Sequence, residues 1–208
     1  MSPATCRTFR PAGAGRGAAV AAALAVTSAL GVAGCATNIA ASTPSSNGQS
    51  FVAGSPGTTA FKSGAGPVAP PVSGPLVGGG KLSLASYRGH VVVLNFWGSW
   101  CTPCRAEAPG LSALATAFKS SGVRFLGIDI RDSPATAQAF MSDFRITYPS
   151  LNDPSDTLAL DFRNTVPPAG IPTTLVISPS GRISARVIGG ASYNGLKSLI
   201  QRAAAEPG

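Results

Sequence analysis

At 208 residues the chain has room for one domain of ordinary size with segments to spare, and its 25 glycines and 18 prolines argue that not all of it is packed. The formal charge of +8 rests on 16 cations against 8 acids; Arg7, Arg10 and Arg16 crowd the N-terminus, and without them 16 − 3 = 13 cations leave +5. That remainder is spread along the chain without a basic run, so nucleic-acid binding has no support, and a mild attraction to anionic lipid or an acidic partner is all the charge implies.

Residues 1–17 hold those three arginines and no acid, and residues 18–33 form an alanine-rich apolar run too short to serve comfortably as a permanent membrane span. We read residues 1–34 as a signal peptide. Its end, Val32-Ala33-Gly34-Cys35, resembles the lipobox of bacterial lipoproteins. The resemblance implies that Cys35 receives lipid, becomes the mature N-terminus and anchors the protein to the outer face of the bacterial cytoplasmic membrane. Cys6 then leaves with the signal, and only Cys101 and Cys104 remain to pair. An extracytoplasmic protein without structural disulfides that keeps one Cys-x-x-Cys is using its thiols for chemistry.

Residues 35–75 are rich in Ser, Thr, Gly, Pro and Ala and show no sustained period, which reads as the lipidated N-terminus and a flexible linker. About 40 such residues span roughly 35 Å root-mean-square. The folded domain is expected over residues 76–208. Residues 81–90 alternate briefly and turn at Arg88-Gly89, predicting a short strand; His90, the only histidine, falls at the turn or the strand edge.

Residues 91–97, VVVLNFW, form an apolar β-prone run that meets a small-residue turn, then Cys101-Thr102-Pro103-Cys104, then a helix-forming stretch from Arg105 to about Ser121. Two thiols at the handover from strand to helix make a redox site. A sulfur at the helix N-terminus faces unpaired N–H groups and the positive end of the dipole, which favour thiolate. Cys101 is therefore the expected nucleophile, and Cys104, one turn inside, the resolving thiol. Half a zinc site has the same spacing, but no second Cys pair exists and there is one histidine, so no metal site is expected. Leu111, Leu114 and Phe118 form the expected buried stripe, Pro103 is tolerated in the first turn, Pro109 should kink the helix, and Gly122 closes it.

The Trp100-Cys101-Thr102-Pro103-Cys104 core, with Phe96-Trp97 upstream and Pro109 downstream, resembles thioredoxin. More narrowly, Cys104-Arg105-Ala106-Glu107-Ala108-Pro109 resembles the membrane-tethered TlpA/ResA-type thiol-disulfide oxidoreductases. The likeness covers roughly residues 76–204 and implies an α/β, thioredoxin-like fold: a central mixed sheet, helices on both faces and a TlpA/ResA-type insertion. It implies that Ile171-Pro172-Thr173 is the family's cis-proline loop, with Pro172 cis and the Ile171 backbone free to pair with an extended substrate segment. Trp100 then shields the disulfide and meets the partner. Asn95 stands where thioredoxins have a buried acid that takes the resolving thiol's proton, so that relay cannot operate. Glu107 shares a helix face with Cys104, and by the resemblance it manages that proton instead.

Residues 123–130 read as a second buried strand, Ser133-Pro134 starts a helix to about Phe144, and the two strands should pair in parallel. Within 146–170 a short extended piece, a short helix and a loop are expected, the insertion among them. Thr173–Ile177 and residues 182–188 flank the turn quartet Ser178-Pro179-Ser180-Gly181 as a hairpin, and a last helix runs from about Tyr193 to Ala204 with Leu196, Leu199 and Ile200 on one face.

The function these readings imply is thiol-disulfide exchange with no cofactor beyond the Cys101–Cys104 disulfide. The resemblance points to a reductase of specific extracytoplasmic protein disulfides, such as the haem-binding cysteines of apocytochrome c, fed by an integral membrane thiol electron carrier. An oxidase or isomerase of secreted proteins is the alternative. A peroxidase of the peroxiredoxin type would need Pro and Thr or Ser where Leu94 and Gly98 stand, and a copper-binding assembly protein would want wider-spaced cysteines and a downstream His that is missing.

Overall fold

The computed structural model describes residues 51–53, 57–167 and 170–206; the expected signal peptide, Cys35 and residues 36–50 lie outside the described residues. The chain divides into two units, 1–43 and 44–208, and all described residues belong to the second. In chain order the strands are β1 (Phe51–Ala53), β2 (Thr58–Phe61), β3 (Ser73–Pro75), β4 (Lys81–Ser83), β5 (Val92–Trp97), β6 (Arg124–Ile130), β7 (Ser150–Asp153), β8 (Thr173–Ile177) and β9 (Ile183–Ile188). The helices are α1 (Thr102–Ala117), α2 (Pro134–Asp143), α3 (Thr157–Asp161) and α4 (Tyr193–Ala204).

All six residues of β5 are buried, as an apolar run with neighbours on both edges should be. It pairs in parallel with β6 and antiparallel with β8, in a seven-stranded sheet of order β1-β2-β9-β8-β5-β6-β7. β3 and β4 form a separate ribbon. Alternation along β5 divides the core. Val92, Leu94 and Phe96 join Leu126, Ile128 and Leu175 under Phe61, Val72, Leu84 and Phe162. Val91 and Val93 join Phe125 and Val176 beneath Leu111 and Leu114 of α1 and Leu196 and Ile200 of α4. Trp97, at the end of β5, stacks on Phe140 of α2 with ring centroids 4.6 Å apart, in a third cluster that contains both cysteines. The fold is the expected α/β arrangement with a mixed sheet. Residues 150–153 and 157–161 are the extended piece and short helix read from the sequence, β7 adding in parallel to β6.

Three local expectations change. Residues 57–75 are not linker but part of the domain: β2 pairs with β9 from Thr58↔Val187 to Ala60↔Ala185, and Phe61, Ala69 and Val72 are buried. The next turn passes so close to the hairpin that a Cβ on Gly66 would lie 1.8 Å from the Ile183 carbonyl oxygen. Ile183 N–H donates to Pro67 O at 2.8 Å and Arg182 to Gly66 O at 3.0 Å, tying the strap down. Second, of residues 81–90 only Lys81–Ser83 are strand, paired with β3 rather than the main sheet; a 3₁₀ turn, Leu84–Tyr87, follows, with Ser83 accepting from Ala85 N–H. Third, α1, with Pro109 inside it, ends at Ala117 rather than near Ser121 and passes through a 3₁₀ turn to Gly122 at φ 76°.

Candidate active site

β5 ends at Trp97, and Gly98, Ser99 and Trp100 lead to Cys101, the N-cap of α1, with extended φ −86° and ψ 105°. Its Sγ accepts a hydrogen bond from Cys104 N–H at 3.2 Å, and the two cysteines form a disulfide of 2.02 Å. That N–H and the positive helix end are the donors that would favour a Cys101 thiolate once the bond is reduced. Cys101 is buried like Cys104, at 5% and 2% exposure, so accessibility barely separates the two sulfurs and the distinction rests on helix position. Trp97, Ala108 and Ile171 enclose the pair.

The approach loop is held from three sides. Asp132, between β6 and α2, accepts from Ser99 N–H at 2.6 Å and from Ser99 Oγ at 2.7 Å. Arg105 donates to Ser99 O at 3.3 Å while its guanidinium lies 4.9 Å from the Phe144 ring centroid. Trp100 lies across Gly98, where a Cβ would come within 2.8 Å of the indole Nε1, and remains 52% exposed.

Glu107 lies in the interior beneath α1, at 7% exposure. Asn95 Nδ2 donates to one carboxyl oxygen at 2.8 Å and Ala191 N–H to the other at 2.8 Å; Asn95 also donates to Thr174 Oγ1 at 3.1 Å. Burial pushes its pKa up to about 7, against the opposing pull of the Ala191 and Asn95 hydrogen bonds. Asn95, unable to take a proton itself, orients the group that can. Tyr148 is buried close by, its phenol pKa raised by burial and by the Glu107 charge. A second buried acid, Asp129 at the end of β6, has its pKa raised to about 8 by burial and by neighbouring Asp132 and Asp153, with Asn152 donating to it at 2.9 Å. Among the described residues no group of three His, Cys, Asp or Glu side chains is placed to hold a metal ion.

The Ile171–Pro172 peptide is cis, as the resemblance implied. Ile171 packs against the cysteine cluster on one side and the main core on the other. The structure thus brings Cys101, Cys104, Trp100 and Ile171-Pro172 into one region, with Glu107 one turn along α1; Cys35 lies outside the described residues. The sequence reading missed Asp132, Thr174 and the Ala191 N–H. Asp132 carried a signal, an acid directly after a buried strand and before an N-cap serine, but nothing local tied it to Ser99. Thr174 and Ala191 act through tertiary register alone.

Fold and site define a thioredoxin-like domain with a Cys-x-x-Cys disulfide at a helix N-terminus. The chain belongs to the AhpC/TSA family, whose model matches residues 65–186. It is 37% identical over 102 residues to the thiol:disulfide interchange protein HelX of Rhodobacter capsulatus, covering 49% of this chain and 53% of HelX. It is 33% identical over 111 residues to the thiol-disulfide oxidoreductase ResA of Bacillus subtilis, covering 53% and 60%. The match thus spans between half and three fifths of these curated relatives. Among solved structures, a secreted thiol-disulfide isomerase from Corynebacterium glutamicum superposes with a TM-score of 0.67 at 28% identity, covering 75% of this chain and 98% of that one.

Proposed function

We propose that the protein is an extracytoplasmic thiol-disulfide oxidoreductase that reduces specific protein disulfides. The observation that carries this is the Cys101–Cys104 disulfide at the start of α1 with a buried carboxyl, Glu107, one turn along the same helix. In the reduced state the Cys101 thiolate attacks a substrate disulfide sulfur, forming a mixed disulfide and releasing one substrate thiolate. Cys104 gives its proton to Glu107 and attacks the Cys101 sulfur. This reforms the Cys101–Cys104 bond and releases the second substrate thiolate, so two electrons pass from the protein to the substrate. Protons from Glu107 and from solvent complete the two substrate thiols. A carboxyl with a pKa of about 7 is matched to this task near neutral pH.

The finer reading follows the TlpA/ResA resemblance: Trp100 and the Ile171–Pro172 loop meet the substrate, apocytochrome c is the model substrate, and a membrane thiol carrier re-reduces the site. Cys35 is the lipid anchor, and more than one acyl chain holds the protein stably where one would not. Among the described residues no helix is long and apolar enough to cross a membrane. The similarity to the secreted thiol-disulfide isomerase of Corynebacterium glutamicum favours a second reading, disulfide isomerisation, and the reduction potential separates it from reduction.

One experiment tests the core of this. Cys104→Ser in cells should accumulate a substrate disulfide-linked to Cys101 in the membrane fraction, and adding Cys35→Ser should move the same complex to the soluble fraction. No Cys101-linked adduct would sink the exchange reading. An adduct that stays on the membrane without Cys35, together with no lipid on the unmodified chain by mass spectrometry, would sink the anchor.

A further inference from the structure

Beside the Ile171–Pro172 loop lies a cavity of ≈ 180 Å³ that the exchange chemistry does not use. Its apolar lining includes Phe96, Ile130, Ala159, Leu160, Val166 and Ile171. A dry apolar cavity of about 150 Å³ accommodates benzene, so this one admits a leucine or phenylalanine side chain. Leu160 is 50% exposed on α3, one of few large apolar side chains the domain leaves open to solvent.

Ile171 joins this cavity to the disulfide, since the same side chain packs against the cluster that holds Cys101 and Cys104. Strand pairing of β8 with β5 begins only at Thr173, and neither the N–H nor the C=O of Ile171 makes a hydrogen bond to a described residue. An unpaired backbone edge of this kind takes an extended peptide by strand addition. Along such a strand, side chains two residues apart point the same way about 6.6–7 Å from one another. A substrate cysteine presented to Cys101 would therefore carry a side chain two positions away toward the cavity.

The rim adds a charge preference. Arg131 is ion-paired with Asp156 at 2.5 Å, whereas Arg163 has no carboxylate partner among the described residues and donates only to Leu160 O, at 3.4 Å. The rim is left with a net positive charge, which suits an acidic neighbour of the inserted side chain and disfavours a basic one.

Resting on the exchange reading above, we propose that the groove between α3 and the Ile171–Pro172 loop is a specificity pocket for an extended protein segment. It takes a large apolar side chain two residues from the substrate's reactive cysteine. The occupant is a protein segment because its recognition combines a backbone edge with a side-chain pocket, a pairing that a small disulfide does not offer.

The test uses the full chain, reduced with dithiothreitol and desalted, and ten-residue peptides whose single cysteine is in a mixed disulfide with glutathione. Phe is placed one or two residues before or after the cysteine in a serine background. The second-order rate constant for peptide release should rise tenfold or more with Phe at one of the two-away positions and not at the adjacent ones. Glu beside that Phe should raise it further and Lys lower it. Ala159→Phe, which fills the groove, should bring the preference for Phe over Ser to within twofold. All peptides reacting within twofold of one another with the unmodified chain would overturn the pocket, whether or not the variant folds. A preference that survives in folded Ala159→Phe would do the same. Failure of every peptide and of glutathione disulfide itself to react would overturn the exchange reading, and the pocket with it.

Discussion

Glu107 is the residue on which the chemistry and the stability of the domain meet. Its carboxyl is driven to a pKa of about 7 by burial, so the folded chain holds its proton more tightly than the unfolded one, where the ordinary value is 4.5. Between those values the folded state binds more protons, and stability falls as pH rises. The stabilising contribution is complete below pH 4.5 and is lost as pH passes through 7, with a magnitude on the order of 3 kcal/mol. Asp129 acts in the same direction from 3.8 to about 8. We expect urea denaturation of the oxidised protein to show falling stability from pH 5 to pH 8. Glu107→Gln should lose the Glu107 part of that slope and keep the Asp129 part. An unchanged slope in Glu107→Gln would show that the carboxyl is not protonated in the folded state near neutrality.

At the scale of elements, legibility followed the strength of local pattern. β5, α1 and the β8–β9 hairpin were readable because each combines a strong period with terminal signals: an apolar run, a Pro in the first turn, a Ser-Pro-Ser-Gly turn. The strap of residues 57–75 was not, because β2 and β3 are four and three residues long, drawn from Thr, Ala, Phe, Ser, Gly and Pro, and owe their conformation to the partners they meet. The cysteines and the cis-proline loop were legible as motifs. Asn95 and Glu107 were each singled out, yet their contact, and Asp132 on Ser99, needed the register of the sheet. The strap also carries a prediction. A chain starting at Ser45 should melt cooperatively, whereas one starting at Leu76 loses β2 and the buried Phe61, Ala69 and Val72. Removing one such aromatic alone costs about 3–5 kcal/mol, much of a typical domain's stability. The shorter chain should be unfolded or aggregated by circular dichroism; native-like melting would return the strap to linker.

For the molecule as a whole, the proposed exchange chemistry turns on its direction. The dipeptide Thr102-Pro103 does not set it, since residues between the cysteines tune the potential only through thiolate stability and strain. Two opposing charges do. The helix N-terminus and the Cys104 N–H stabilise a Cys101 thiolate and so favour the reduced form, which makes a protein more oxidising. Glu107, ionised as pH passes through about 7, places a negative charge one turn from Cys104 and raises the cost of thiolate, which makes the protein more reducing. Held by two N–H donors inside the fold, that charge is poorly screened by water and opposes the thiolate more strongly than a surface carboxylate would. Equilibration against dithiothreitol or glutathione buffers at pH 7, where Glu107 is partly ionised, should therefore give a potential well below the ~ −180 mV of a disulfide isomerase at that pH. Glu107→Gln should shift it upward, toward the oxidising side, by about 20–30 mV, roughly tenfold in the exchange equilibrium. A potential near the ~ −120 mV of a strong oxidant would replace reduction with the oxidase reading, and a value unmoved by Glu107→Gln would remove the carboxyl from the balance.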